Sequence, residues 1–295
     1  MVNDEPSQAP SGFSQQWLSL REPADHTARD SVLSESLQGW AKLQTPLHIM
    51  DFGTGTGSNL RYLCPLLGHD QHWTLVDNDA QLLTQLPDIL SLWATSNDIT
   101  VQHANDALVL SNETFSASVH WQQSDLANYL AELPFETTDL VTGSALLDLT
   151  SRRWLDQLAR LCISHRCASF FVLNYNGHID WQPVTETDSL MRQLLNAHQL
   201  SDKGFGPALG PQAGQYLASL LEARQAVTLT ASDWGLSPTH RELQAALIEG
   251  WAAAAIEQHS GERAVIDQWQ TARNSFNSTS MSQLTVGHVD LLALP

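Results

Sequence analysis

Leu47-His48-Ile49-Met50-Asp51-Phe52-Gly53-Thr54-Gly55-Thr56-Gly57-Ser58-Asn59 is the stretch whose reading decides the fold. Leu47 to Phe52 is a short apolar run ended by glycine, which suits a buried parallel strand. Glycines at 53, 55 and 57 let the backbone turn sharply and approach a ligand closely. Ser58 is placed to cap a helix, and Leu60, Leu63, Cys64 and Leu67 give that helix one apolar face at i, i+3, i+4, i+7. The first amides of such a helix point at whatever the turn holds.

Outward from this turn, strands and helices alternate. Trp73 to Val76 reads as a second strand ending in Asp77. A helix through Leu82, Leu83 and Leu86 is expected to stop near Pro87. The stretch 97–123 yields a third strand only at about Ser118 to Gln122. A fourth strand at Asp139 to Thr142, a helix over 151–163 and a fifth strand at Ala168 to Leu173 follow. Helices are expected around Leu190 to Leu195 and from Pro211 to Leu221, where proline suits a first turn. Ala226 to Thr230 is a sixth strand and Leu284 to Leu294 a seventh. Between them Leu243, Leu247, Trp251 and Ala254 line one long helix, and Ile266 and Trp269 a second. The pattern predicts an α/β, Rossmann-like, seven-stranded and mostly parallel sheet with helices on both faces.

The domain reading is a tail and helical cap over 1–45, with a disordered start at 1–12 and a break at Pro23, then one domain over 46–295. That domain carries helical insertions at about 177–224 and 235–280. The roughly 50 residues between the sixth and seventh strands exceed what the connection needs. Two roles are open to them: packing beside the sheet, or a homodimer interface. Trp234, Trp251 and Trp269 read as core there.

Composition narrows the function. The net charge is −18, from 14 basic and 32 acidic residues among 295. A field of that sign repels phosphate backbones and anionic headgroups, so neither nucleic acid nor a membrane is an expected partner. No apolar stretch approaches the roughly 20 residues that span a bilayer. Three cysteines make no disulfide framework and no metal pair, and no His/Cys spacing suggests a metal. A soluble cytoplasmic protein is the expectation.

Two ligand classes compete for the glycine turn. A dinucleotide site wants G-x-G-x-x-G/A; here Ser58 stands at the third place. Asp51, two residues before the first glycine, would repel a diphosphate and attract an ammonium or a sulfonium. An NAD(P)-binding oxidoreductase therefore stays as the alternative, together with a non-catalytic binding protein of the same fold.

The pattern hydrophobic-Asp-hydrophobic-Gly-x-Gly-x-Gly over Met50 to Gly57 resembles the first motif of class I S-adenosylmethionine (SAM)-dependent methyltransferases. Phe13 to Arg29, Lys203 to Pro211 and Val286 to Pro295 also look like uncharacterised bacterial members of that class. The resemblance implies SAM as cofactor, with Asp51, Gly53, Thr54, Gly55 and Asn59 around it. It implies that Asp77 accepts hydrogen bonds from the ribose, beside Asn78. It implies that Asp125, next to Leu126, receives the adenine amino group, and that the loop at Gly143 covers the adenosine and the reacting methyl. Asp125 has a second reading as a helix cap.

The resemblance leaves the acceptor open; a small molecule is the expectation. Trp17 to Arg29 concentrates Arg21, His26 and Arg29, and one arginine, with Arg21 as the choice, could hold the SAM carboxylate as a bidentate pair. Asn174, Tyr175 and Trp181, with Trp17, are the candidate acceptor contacts. His178 is the candidate base, because imidazole titrates near neutral pH. His120, His240 and His288 read as structural.

Overall fold

The computed structural model describes residues 13–104 and 107–295. The expected disordered start at 1–12 lies outside the described residues. At the centre stands β1 (Leu47–Phe52), parallel to β2 (His69–Asp77) on one side and β6 (Leu140–Ser144) on the other. β5 (Phe115–Gln123) continues the sheet beyond β2, and β7 (Ala168–Gln182) beyond β6, both parallel. β10 (Gln283–Leu294) runs antiparallel between β7 and β8 (Ala226–Ala231). These seven strands are the expected set, in the order β5-β2-β1-β6-β7-β10-β8.

The sheet has ten strands, not seven. An antiparallel hairpin of β3 (Thr100–Ala104) and β4 (Ala107–Ser111) extends the β5 edge, and β9 (Trp234–Leu236) pairs with β10. β3 is exposed along nearly its whole length, so no apolar face advertises it.

Helices cover both faces. α2 (Ser31–Ala41), α3 (Ser58–Leu67) and α4 (Ala80–Ser96) pack on one side around Leu37, Leu63, Trp73, Leu86 and Phe170. α5 (Leu126–Tyr129), α6 (Arg152–His165) and α8 (Ala213–Leu221) pack on the other around Phe52, Trp154, Leu158 and Leu217. Prolines expected to stop helices do not. Pro23 lies inside α1 (Gln15–Ala28), and Pro87 inside α4. In α4 the buried stripe Leu82, Leu83, Leu86, Leu90 and Ala94 runs through the proline, and its burial outweighs one lost backbone bond. Ser58 does not cap α3; Gly57 holds that place at φ 79°.

A third core sits off the end of the sheet. The far halves of β7 and β10 meet α1, α7 (Asp188–His198), α9 (Arg241–Gln258) and α10 (Arg263–Ser278) around Met191, Trp234, Leu243, Ile266 and Trp269. The 235–280 insertion therefore packs beside the sheet. Trp234, just before the insertion, and Trp269 within it are core, and Trp251 packs against that core half-buried. Among the described residues no helix is long and apolar enough to cross a membrane. All three cysteines, Cys64, Cys162 and Cys167, are buried.

Candidate functional site

The turn after β1 is built for close approach. Gly53, Gly55 and Gly57 have φ of 63°, 54° and 79°. Gly53 and Thr54 donate their amides to Val76 O at 2.8 and 3.2 Å, which ties the turn to the end of β2. Gly55 N donates to Asp77 Oδ2 at 2.8 Å, and Asp79 N to Asp77 Oδ1 at 2.9 Å. A Cβ on Gly55 would stand 3.1 Å from Leu18 Cδ1, because α1 lies across the turn. Burial pushes the Asp77 carboxyl above its ordinary range, and these backbone donors work against that. Asp79 caps α4, accepting from Gln81 N at 2.8 Å.

α1 is clamped onto this turn. Glu22 pairs with Arg61, and His26 Nε2 lies 3.1 Å from Ser58 Oγ. At its end Arg29 is buried, its Cζ 4.3 Å from the Tyr62 ring, and it donates through Nη1 to Asn59 Oδ1 at 2.7 Å. Asn59 Nδ2 in turn donates to Asp51 Oδ1 at 2.7 Å and Thr142 Oγ1 at 3.0 Å. The chain of bonds leaves Nε and Nη2 of Arg29 sealed without a partner, while the Asp51 carboxyl has Asn59 and the Thr54 hydroxyl beside it. Burial raises the Asp51 carboxyl to about 6, with Asn59, Thr54 and Arg29 pulling it down. Burial likewise lowers the Arg29 guanidinium, against the pull of Asp290 and Asp25.

Arg21 is a correction. Its Nε and Nη2 are taken by Asp25 at 2.8 and 3.1 Å, and its Cζ stacks 5.0 Å from the Trp234 ring. Arg29, in the same basic segment, is the arginine that reaches the loop.

Beside Asn78 a cleft of about 500 Å³ opens among Gln122, Ser124, Asp125, Tyr129 and Leu133. Asp125 borders it and caps α5, accepting from Ala127 N at 2.9 Å and Asn128 Nδ2 at 2.7 Å. Leu126 points into the core instead, and its carbonyl accepts from Trp154 Nε1 at 2.7 Å. Gly143 is buried between strands, where a Cβ would come within 3.1 Å of Phe52 O.

The ends of β6 and β7 form the other wall. Asn174 is fully buried and structural: its Oδ1 accepts from Leu147 N at 3.1 Å, and its Nδ2 donates to Val289 O at 3.2 Å. Tyr175 is half-buried and donates its hydroxyl to Asn196 Oδ1 at 2.8 Å. Trp17 stays half-buried against Arg21. Trp181 lies in the third core between Trp251 and Trp269, each ring 5.6 Å away, so it is not an acceptor contact. His178 is exposed, and no hydrogen bond joins its ring to the site among the described residues. The segment 174–181 is not a loop but the continuation of β7, paired with β10.

Two further buried polar groups stand here, one not singled out in the sequence and one read there as structural. Asp148 is buried in the 3₁₀ turn Leu147–Leu149, with Oδ1 unpartnered; a lone acid in the apolar run Leu146 to Leu149 was its signal. His288 is buried with Nδ1 unpartnered, its ring 4.9 Å from Trp234 and 6.4 Å from Tyr175.

No protein-family model matches the chain, and no curated protein does. Solved structures do match. A cyclopropane-fatty-acyl-phospholipid synthase-like protein from Lactobacillus casei superposes with a TM-score of 0.50 at 13% identity, over 97% of this chain and 96% of that one. A SAM-dependent methyltransferase from Geobacter sulfurreducens, in complex with S-adenosylhomocysteine, gives a TM-score of 0.46 at 13% identity, over 96% and 99%. With the strand order above, the first likeness fixes the architecture. The chain shares the Rossmann-like α/β fold of the Lactobacillus casei protein. In this fold ligands bind in the crevice outside the carboxyl ends of the strands. The glycine turn, Asp77, the cleft at Asp125 and the turn at Asp148 all stand at those ends.

Proposed function

We propose that this chain is a SAM-dependent methyltransferase that moves a methyl group to a small-molecule acceptor by in-line displacement. The observation that carries the reading is the pair of sealed, unpartnered atoms beside the glycine turn, Nε and Nη2 of Arg29, next to the buried Asp51 carboxyl. Buried polar groups in folded proteins nearly always have partners. An α-amino acid group brings an ammonium for the acid and a carboxylate for the guanidinium. A diphosphate brings negative charge toward two buried acids, Asp51 and Asp77, and satisfies neither.

The residues divide the work. Asp77, already fixed by Gly55 N and Asp79 N, keeps lone pairs for ribose hydroxyls. Asn78 and the cleft at Asp125 suit a flat base. SAM supplies a methyl activated by its sulfonium, so the protein's task is alignment and exclusion of water. Leu18 and Leu146, which crowd Gly55 and Gly53, provide that exclusion. A small acceptor is supported by the depth of Asp148 and His288, which a polymer does not reach.

Calorimetric titration with S-adenosylhomocysteine tests the reading. Binding in the micromolar range, weakened about tenfold or more by Asp77→Ala, is expected. Absence of binding rejects it, and tighter binding of NADH would favour the oxidoreductase.

A further inference from the structure

Asp148 and its neighbours have no part in holding the proposed cofactor, yet the fold fixes them with unusual care. Ala145 N donates to Val172 O at 2.9 Å, Leu147 N to Asn174 Oδ1 at 3.1 Å, and Thr150 Oγ1 to Leu147 O at 2.7 Å. Two non-glycine residues with positive φ flank the turn, Ala145 at 53° and Leu173 at 56°. Such backbone strain persists only where the surroundings over-determine it, and it gathers at functional sites. Leu173 is held by its amide, which donates to Asp290 Oδ1 at 2.7 Å, where the β7–β10 register shifts.

What this scaffold presents is a surplus of acceptors. Asp148 Oδ1 is sealed and without a partner, and so is His288 Nδ1. Burial and the Arg21 charge keep His288 neutral, so its ring carries one acceptor nitrogen. Asp148 accepts from its own backbone amide and that of Tyr175, and it feels the charge of Arg21 on α1 and the Tyr175 hydroxyl on β7. Arg21 is already spent on Asp25, and Tyr175 on Asn196. Arg21 also acts on His288 on β10; Trp17 and Trp234 lie against Arg21, and Tyr175 and Trp234 against His288, so aromatic rings gather around the groups that neighbour Asp148. The turn begins beside Leu146, whose side chain lies 3.5 Å from where a Cβ on Gly53 would be, so it adjoins the cofactor turn. A ligand that completes this cluster must bring hydrogen-bond donors and tolerate aromatic walls. A carbon nucleophile without an O–H or N–H leaves Asp148 unsatisfied.

We infer that Asp148 faces the methyl acceptor and that the acceptor is a small O–H or N–H nucleophile held among aromatic rings. This rests on the methyl-transfer reading above. In the step, the acceptor's lone pair forms a bond to the methyl carbon. The carbon–sulfur bond breaks with its pair going to sulfur, leaving S-adenosylhomocysteine. The acceptor's proton passes to Asp148 Oδ1 and from there to solvent as product leaves. The raised carboxyl, at about 6, suits a base working near neutral pH.

Phenol, aniline and toluene share one shape and differ in the donor, so they probe the site directly. With the protein loaded with S-adenosylhomocysteine, ligand-observed NMR is expected to show phenol and aniline binding about tenfold tighter than toluene. Asp148→Leu removes the preference while affinity for S-adenosylhomocysteine, read by calorimetry, stays as in the wild type. Asp148→Asn, which keeps an acceptor oxygen and the polar turn, lowers the preference in part and serves if the leucine variant does not fold. Equal binding of the three probes, binding of none, or a preference that survives both variants overturns the inference. Failure of the wild type to bind S-adenosylhomocysteine is a different result: it removes the methyl-transfer reading beneath, and this inference with it.

Discussion

Asp51 and Asp148 are two buried carboxylates at strand ends, each raised to about 6 by burial. Their surroundings differ. Asp51 closes a linear chain of bonds to Asn59 and the cationic Arg29, so that region offers both signs of charge and free valences on the guanidinium. Asp148 sits among rings and a neutral histidine, with its nearby arginine already paired. On the proposed function the first region suits a zwitterion and the second a neutral or cationic donor, and the difference comes from whether the neighbouring guanidinium is free.

Crossed variants break or sharpen this comparison. The largest effect belongs to Arg29→Leu. Losing one partner of a buried charged network costs about 2–5 kcal/mol, so affinity for S-adenosylhomocysteine should fall at least about thirtyfold in calorimetry. Phenol preference, governed by Asp148, should be unaltered in protein kept loaded by excess ligand. Arg21→Leu should leave S-adenosylhomocysteine affinity within about threefold of wild type, and an equal loss from both arginine variants would erase the distinction.

Gly55→Ala comes next. It puts a Cβ at φ 54° and 3.1 Å from Leu18. Strain of about 1–3 kcal/mol follows, read as a lower thermal midpoint, and α1 should become more open to proteolysis.

Two buried groups of the acceptor wall, Asp148 and His288, should respond to pH with opposite sign. A carboxyl raised from 3.8 to about 6 favours the folded state in acid. That advantage is complete below 3.8 and lost as pH rises toward 6. Asp148→Leu should therefore gain stability relative to wild type at pH 8, by about 1–3 kcal/mol, and less at pH 4. His288, pushed down from 6.5 to about 3 by burial and Arg21, works the other way. Stability is present above 6.5 and lost as pH falls toward 3. His288→Leu should flatten that acid limb in denaturant midpoints taken across this range.

The smallest effect is expected at His178. His178→Ala should change stability by under about 0.5 kcal/mol and leave both S-adenosylhomocysteine and phenol binding as they are.

The contrast between the two walls also explains what the sequence discloses. The turn at 51–57 is legible because its signal is local: a strand, alternating glycines and an acid lie within a dozen residues, and Asp77 follows at the end of the next strand. The acceptor wall is not, because its parts come from α1, the 147–149 turn, β7 and the end of β10. Nothing in the neighbourhood of His288 announces Asp148, 140 positions earlier in the chain. Asp25 lies four residues from both Arg21 and Arg29, so spacing alone does not tell the two arginines apart; the folded helix pairs Asp25 with Arg21. Trp181 misleads for a similar reason. Tyr175, Ile179 and Trp181 alternate with polar residues as a strand does, but Asn176-Gly177 is a turn signal and hides the continuation of β7. The 100–111 hairpin escapes because an exposed edge has no apolar face to declare it.

A crystal grown with S-adenosylhomocysteine tests the central claim most directly. The account predicts the amino-acid end between Asp51 and Arg29, the ribose on Asp77 and the base in the cleft beside Asp125. A ligand seated elsewhere, or Asp77 turned away from the sugar, would contradict it.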